Sequence, residues 1–173
     1  MSRLNREAIL AALMVVLSGV MIVRLVPYFR QYNVEAGDRA PSFNLTSDTG
    51  TGVRLEDFRG KYVLLNFWAT YCVPCVEELP SLNAIYDDMR DKGLVVLGVS
   101  VDADQEAYQR FLTAHRVTFP TARDPEWTAA IRYGTSKIPE TYLIDREGTV
   151  IRKYVGAENW RRPEIVNYLQ SLL

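Results

Sequence analysis

Cysteine and histidine are both scarce in this 173-residue chain, with two of the first and one of the second. A disulfide framework needs more cysteines, spread along the chain, so the two present mark a site and not a scaffold. A zinc site needs about four ligands, and the only other soft candidate is His115, forty residues beyond the pair. Neither acidic nor basic residues are in excess, at 21 and 20. The net charge is -1, so nothing in it suggests nucleic acid as a partner. Internal repeats and low-complexity segments are absent as well. Apolar residues make up 48% and charged residues 24%, as in ordinary globular proteins.

One long hydrophobic run is present. Ala8 to Val23 carries no charge, and taken through Arg24 to Phe29 the stretch has 22 residues, about a bilayer span. Arg24 near its end can snorkel, and Tyr28 and Phe29 suit an interfacial belt. The run lacks a polar face, which argues against a buried core helix. Cleavage as a signal peptide is the competing reading. Val34-Glu35-Ala36 has small residues at the right offsets, but it lies well beyond the apolar run. The expected organisation is a membrane anchor over 1–29, a polar linker over 30–41 and a domain over 42–173.

Within the domain, Tyr62–Trp68 and Leu94–Val101 are near-continuous apolar runs, the pattern of strands covered on both faces. Between them Val76, Leu79, Leu82, Ile85, Tyr86 and Met89 recur at helical spacing, giving a parallel strand–helix–strand unit. Short strands are expected at Ser42–Leu45 and Val53–Leu55, and helices at Gln105–His115 and Glu126–Tyr133. The stretch from about 102 to 133 reads as a helical insert. A hairpin follows over Thr141–Ile144 and Val150–Val155, then a last helix carrying Ile165, Val166, Leu169, Leu172 and Leu173. The fold class is α/β, a mixed central sheet with helices on both faces.

The pair Cys72-Val73-Pro74-Cys75 follows a central strand and opens a helix. Unpaired N–H groups and a partial positive charge at a helix N-terminus stabilise a thiolate, which is what disulfide exchange requires. Cys72 at the helix mouth is the expected nucleophile and Cys75, one turn in, the resolving thiol. Pro74 lacks an N–H in the first turn, where none is needed. Haem attachment would need a histidine after the second cysteine, where Val76 stands. Glu78 lies on the same helix face as Cys75, one turn deeper, placed to take a proton if partly buried. His115, Trp127 and Trp160 read as surface or packing residues.

The run Leu65-Asn66-Phe67-Trp68-Ala69-Thr70-Tyr71-Cys72-Val73-Pro74-Cys75 resembles the active-site segment of the TlpA/ResA family. Ala40-Pro41-Ser42-Phe43, Glu78, Pro80, Ile138-Pro139-Glu140-Thr141 and Ile144-Asp145 extend the likeness over roughly Val34 to Leu173. Tyr71 departs from the family's usual Trp. Asn66 stands where thioredoxin itself has a buried Asp. The resemblance implies a thioredoxin-like fold and a thiol-disulfide oxidoreductase tethered to the cytoplasmic membrane by a single pass. Its N-terminus would be inside and residues 30–173 extracytoplasmic, on the periplasmic side.

The resemblance also implies a catalytic set of Cys72, Cys75, Glu78 and Pro139, with a cis Ile138–Pro139 bond facing the pair. Client contacts would come from Trp68, Tyr71 and Ile138, and no cofactor or metal is called for. Partners would be client proteins with disulfides or cysteine pairs, such as apocytochrome c in cytochrome c biogenesis, and a membrane electron donor. Two other functions stay open on sequence. One is a tethered copper- or zinc-binding module. The other is a thiol peroxidase, although that motif would need Thr or Ser at Ala69 and Pro at Leu65.

Overall fold

A computed structural model describes residues 3–30 and 33–173, with side chains described for 9–25 and 33–173. Helix α1 spans Arg3–Arg30. From Ile9 to Leu25 every large apolar side chain on it is exposed, so no face of the helix is covered. Among the described residues no helix is long and apolar enough to cross a membrane. The span expected over 8 to 29 reaches at both ends into side chains outside the described ones.

The domain is built on seven strands: β1 Asn44–Ser47, β2 Gly52–Arg54, β3 Tyr62–Trp68, β4 Leu94–Ser100, β5 Thr121–Arg123, β6 Glu140–Ile144 and β7 Val150–Val155. They form one sheet in the order β2-β1-β5-β4-β3-β6-β7. β3, β4 and β5 run parallel, and the remaining pairings are antiparallel. The helices are α2 Val73–Met89, α3 Gln105–Ala114, α4 Thr128–Tyr133 and α5 Pro163–Leu172. One apolar layer joins Leu79, Leu82 and Ile85 of α2 to Ile165 and Leu169 of α5 over Leu64, Val96 and Leu143. The other places Tyr108 of α3 and Ala129, Ala130 and Tyr133 of α4 against Leu65, Phe67 and Leu97. The sheet is thus covered on both sides, as its unbroken apolar strands require.

Three expectations need correction. The stretch from 102 to 133 is not purely helical, because β5 lies inside it and joins β4 to β1. The first two strands differ in bounds: Asn44–Ser47 in place of Ser42–Leu45, and Gly52–Arg54 in place of Val53–Leu55. The segment before the domain is no free linker either. Val34 and Ala40 are buried, Val34 N–H donates to Tyr133 O at 3.1 Å, and Gly37 N–H donates to Val150 O at 2.7 Å.

Gly98 on β4 answers a close approach. A Cβ there would lie 2.8 Å from Phe119 Cε2 and 3.0 Å from Trp68 Nε1. The missing side chain leaves room for Trp68, the last residue of β3 before the cysteine loop.

Candidate active site

The parallel β3–β4 pair sets the position of the cysteines. β3 ends at Trp68, the chain turns over Ala69–Tyr71, and α2 starts at Val73 with Cys72 as its N-cap. The backbone of Cys72 is extended, and its sulfur accepts the N–H of Cys75 at 3.3 Å. Cys72 and Cys75 form a disulfide. Both are largely covered, but Cys72 keeps 8% exposure against 1% for Cys75, so what access there is belongs to Cys72.

The loop before the pair is fixed by a buried acid that the sequence reading did not single out. Asp102, just past β4, accepts Thr70 N–H at 2.9 Å, Thr70 Oγ1 at 2.7 Å and Ser100 Oγ at 2.6 Å. Its carboxylate therefore ties the loop that precedes Cys72 to the end of the neighbouring strand.

Across from the pair, the Ile138–Pro139 bond is cis, as the resemblance implied. Ile138 O lies 3.6 Å from Cys72 Sγ. Pro139 is buried and Ile138 half-buried. An incoming chain would meet the sulfur and this carbonyl side by side.

Glu78 is 3% exposed. Asn66 Nδ2 donates to its Oε1 at 2.8 Å, while Glu158 N–H at 3.1 Å and Trp160 Nε1 at 3.4 Å donate to its Oε2. Burial pushes its pKa up to about 7. The donors from Glu158, Asn66 and Trp160 oppose the shift, and burial outweighs them. A shallow groove lined by Glu77, Glu78, Pro80, Ser81, Glu158 and Asn159 runs beside it. Trp160, read from sequence as a packing residue, does pack, at 0% exposure, and it also belongs to the Glu78 shell.

A second buried carboxylate follows the cis turn. Glu140 is 5% exposed, pairs with Lys153 Nζ at 3.3 Å and accepts Tyr142 OH at 3.0 Å. The same Lys153 Nζ lies 3.3 Å from Glu35 Oε1. The expected client contacts differ in exposure. Tyr71 is exposed at the rim. Trp68 is not: at 1% exposure its ring packs on Tyr108 and Phe111, which supports the loop and leaves no surface for a client. His115 caps the C-terminal end of α3, stacked on Phe111. Among the described residues no group of three or more His, Cys, Asp or Glu is placed to hold a metal ion.

The profile of the AhpC/TSA family matches residues 36–153. A thiol-disulfide oxidoreductase ResA from Bacillus cereus is 32% identical over 170 residues, covering 97% of each chain. The ResA from Geobacillus kaustophilus is 32% identical over 94% of this chain and 92% of its own. Among solved structures, the thioredoxin domain of a thiol-disulfide oxidoreductase from Bacteroides vulgatus superposes with a TM-score of 0.71 at 26% identity. It covers 80% of this chain and 98% of that one. A Chlorobium tepidum protein assigned as thiol:disulfide interchange protein DsbE gives a TM-score of 0.71 at 34% identity, over 81% and 96% of the two chains.

Proposed function

The chain belongs to the AhpC/TSA family and, within it, to the ResA thiol-disulfide oxidoreductases of thioredoxin-like fold, and from that premise we propose that it is a membrane-anchored reductase of extracytoplasmic protein disulfides. The observation that carries the reading is the placement of Cys72 Sγ, which caps α2 and faces Ile138 O across the cis turn.

In the reduced state Cys72 is the thiolate, held by the N-terminal N–H groups of α2. It attacks one sulfur of the client disulfide. A Cys72–client bond forms, the client S–S bond breaks, and one client thiolate leaves. Cys75, as thiolate, then attacks Cys72 Sγ. The intramolecular disulfide forms and the second client sulfur leaves, so the client gains two electrons and the pair loses two. Cys75 must give up its proton first. Glu78, one turn along the same helix face, is the acceptor, and a group with a pKa of about 7 is matched to that task near neutrality. The groove beside Glu78 gives the proton a way to solvent. Ile138 offers its backbone to an extended client strand, and Tyr71 supplies a rim contact. A membrane donor restores the dithiol.

Membrane anchoring rests on the uncharged run from Ala8 to Val23 and on the uncovered apolar side chains of α1. The oxidised-cysteine client class, of which apocytochrome c is the expected member, rests on the family. A thiol peroxidase is less well supported, because Ala69 brings a methyl group where that chemistry uses a hydroxyl. The test is a measured reduction potential together with turnover on an oxidised peptide carrying Cys-X-X-Cys-His. A potential nearer thioredoxin's roughly -270 mV than DsbA's roughly -120 mV, with stoichiometric peptide reduction, is the expected result. A strongly oxidising potential with no peptide reduction would sink the reductase assignment.

A further inference from the structure

Residues 33–38 hold a fixed course along β7. At one end Gly37 N–H donates to Val150 O at 2.7 Å and Val150 N–H donates to Asp38 O at 2.9 Å. At the other end Lys153 Nζ donates to Glu35 Oε1 at 3.3 Å and to Asn33 Oδ1 at 3.4 Å. The same ammonium reaches Glu140, the residue after the cis proline. β7 runs from Val150, opposite Ile144, to Val155, opposite Glu140, and Gly156 N–H donates to Pro139 O at 2.9 Å. Traced backwards from Asp38, the strap therefore climbs from the level of Val150 to that of Lys153, towards the catalytic end of the sheet.

Resting on the membrane-anchor reading above, we propose that this strap presents the catalytic end of the domain to the bilayer surface. Helix α1 ends at Arg30, and Asn33 is three residues on. Those three steps span at most about 11 Å even when fully extended. A seven-residue strand such as β3 is about 23 Å long, so the far end of the sheet stands well beyond the reach of the tether. The surface matches the placement. Among the described residues 33–173, the exposed large apolar side chains are Tyr71, Val73, Ile131 and Val155, and three of the four surround the catalytic end. Tyr71 and Val73 flank Cys72, and Val155 neighbours the cis turn. An exposed Tyr with two aliphatic neighbours is the composition that settles at a lipid headgroup boundary. The resting occupant of this rim is the bilayer interface, and a client that reaches Cys72 takes the place of lipid at Tyr71.

The full chain is reconstituted in phosphatidylcholine/phosphatidylglycerol vesicles containing a headgroup-spin-labelled lipid. A non-canonical amino acid carries a fluorophore either at Val155 or at Lys92, an exposed residue between α2 and β4 at the opposite end. The expected result is at least twofold stronger quenching at 155 than at 92. A twelve-residue Gly/Ser spacer between Tyr32 and Asn33, with a root-mean-square length of about 20 Å, should erase the difference. Equal quenching at the two sites or stronger quenching at 92 overturns the orientation while leaving the anchor intact, and a difference that survives the spacer overturns the strap as its cause. A chain that fails to co-float with the vesicles overturns the anchor itself, and the orientation with it.

Discussion

Asn66 Nδ2 donates to Glu78 Oε1 at 2.8 Å, so the strand that leads into the cysteine pair and the helix that carries it share a buried polar link. The same nitrogen donates to Thr141 Oγ1 at 2.8 Å, on the strand that follows the cis proline. One side-chain amide thus joins the three elements around the site. An acid at this position would have brought a second negative charge against Glu78.

Removing that amide should move the proton. In Asn66→Ala, Glu78 Oε1 loses a donor that favours the charged form, and its pKa should rise further above about 7. Carbon-detected NMR of the Glu78 carboxyl across pH 5 to 9 reads the midpoint directly. A midpoint that stays put would show the amide to be electrostatically idle.

Glu78 also makes stability depend on pH. A carboxyl whose pKa is raised on folding binds its proton more tightly in the folded chain than in the unfolded one. Its contribution is therefore most favourable below the ordinary value of 4.5, declines as pH rises through the window up to about 7, and is level above it. Full ionisation costs about 3 kcal/mol across that window. Glu78→Gln should flatten this dependence and narrow or reverse the stability gap to the parent at pH 8, as read by urea unfolding at pH 5 and pH 8. The neutral amide fits the site if Asn66 turns its oxygen towards it, which Thr141 can accommodate by donating its hydroxyl. In the same variant, resolution of a mixed disulfide should slow while the first attack is unchanged.

The two thiols should separate by trapping. Cys75→Ser should accumulate mixed disulfides with clients or with an oxidised peptide, and Cys72→Ser should accumulate none, as seen on non-reducing gels. The reverse pattern would exchange the roles of the two thiols.

Lys153 should matter more than a surface lysine. It is the cation beside buried Glu140, and removing one member of such a pair costs about 3–5 kcal/mol. Lys153→Met is expected to lose much of that, and the double variant Lys153→Met/Glu140→Gln to recover most of it. Thermal unfolding of the parent, the two singles and the double gives the coupling; additive losses would mean that the pair is not a unit.

Topology is open to a direct check. A reporter that matures only outside the cytoplasm, fused after Leu173, should be active. Activity confined to a cytoplasmic reporter at the same position would place the domain on the wrong side.

The sequence made the centre of the fold readable and left its edges obscure. β3 and β4 announce themselves because Tyr62–Trp68 and Leu94–Ser100 are apolar on both faces, and α2 because its buried positions repeat at three and four. β5 is three residues long and carries an arginine, so it has neither length nor alternation to show. The site divides in the same way. Cys72, Cys75, Glu78 and Pro139 stand in short motifs. The backbone N–H of Glu158 leaves no mark on a sequence, and an indole that packs looks the same in one whether or not its N–H is used. Trp68 misled in the other direction: Tyr71, three residues on, is exposed, but the space beside Gly98 takes the Trp68 ring inward. The link from Lys153 to both Glu140 and Glu35 needs the hairpin register and the seated strap together, and neither can be read from spacing.

The sulfur that caps α2 is also the sulfur that reacts, and this bears on whether an encounter is completed. Once Cys72 is joined to a client, the helix N-terminus still favours a thiolate at that position, which makes Cys72 a good leaving group for the client's own freed sulfur. Every mixed disulfide therefore divides between retreat, which the helix cap encourages, and commitment, which needs Cys75 deprotonated in time. Glu78 acts on the second branch only. The yield per encounter, more than the speed of the first attack, is the quantity this arrangement controls.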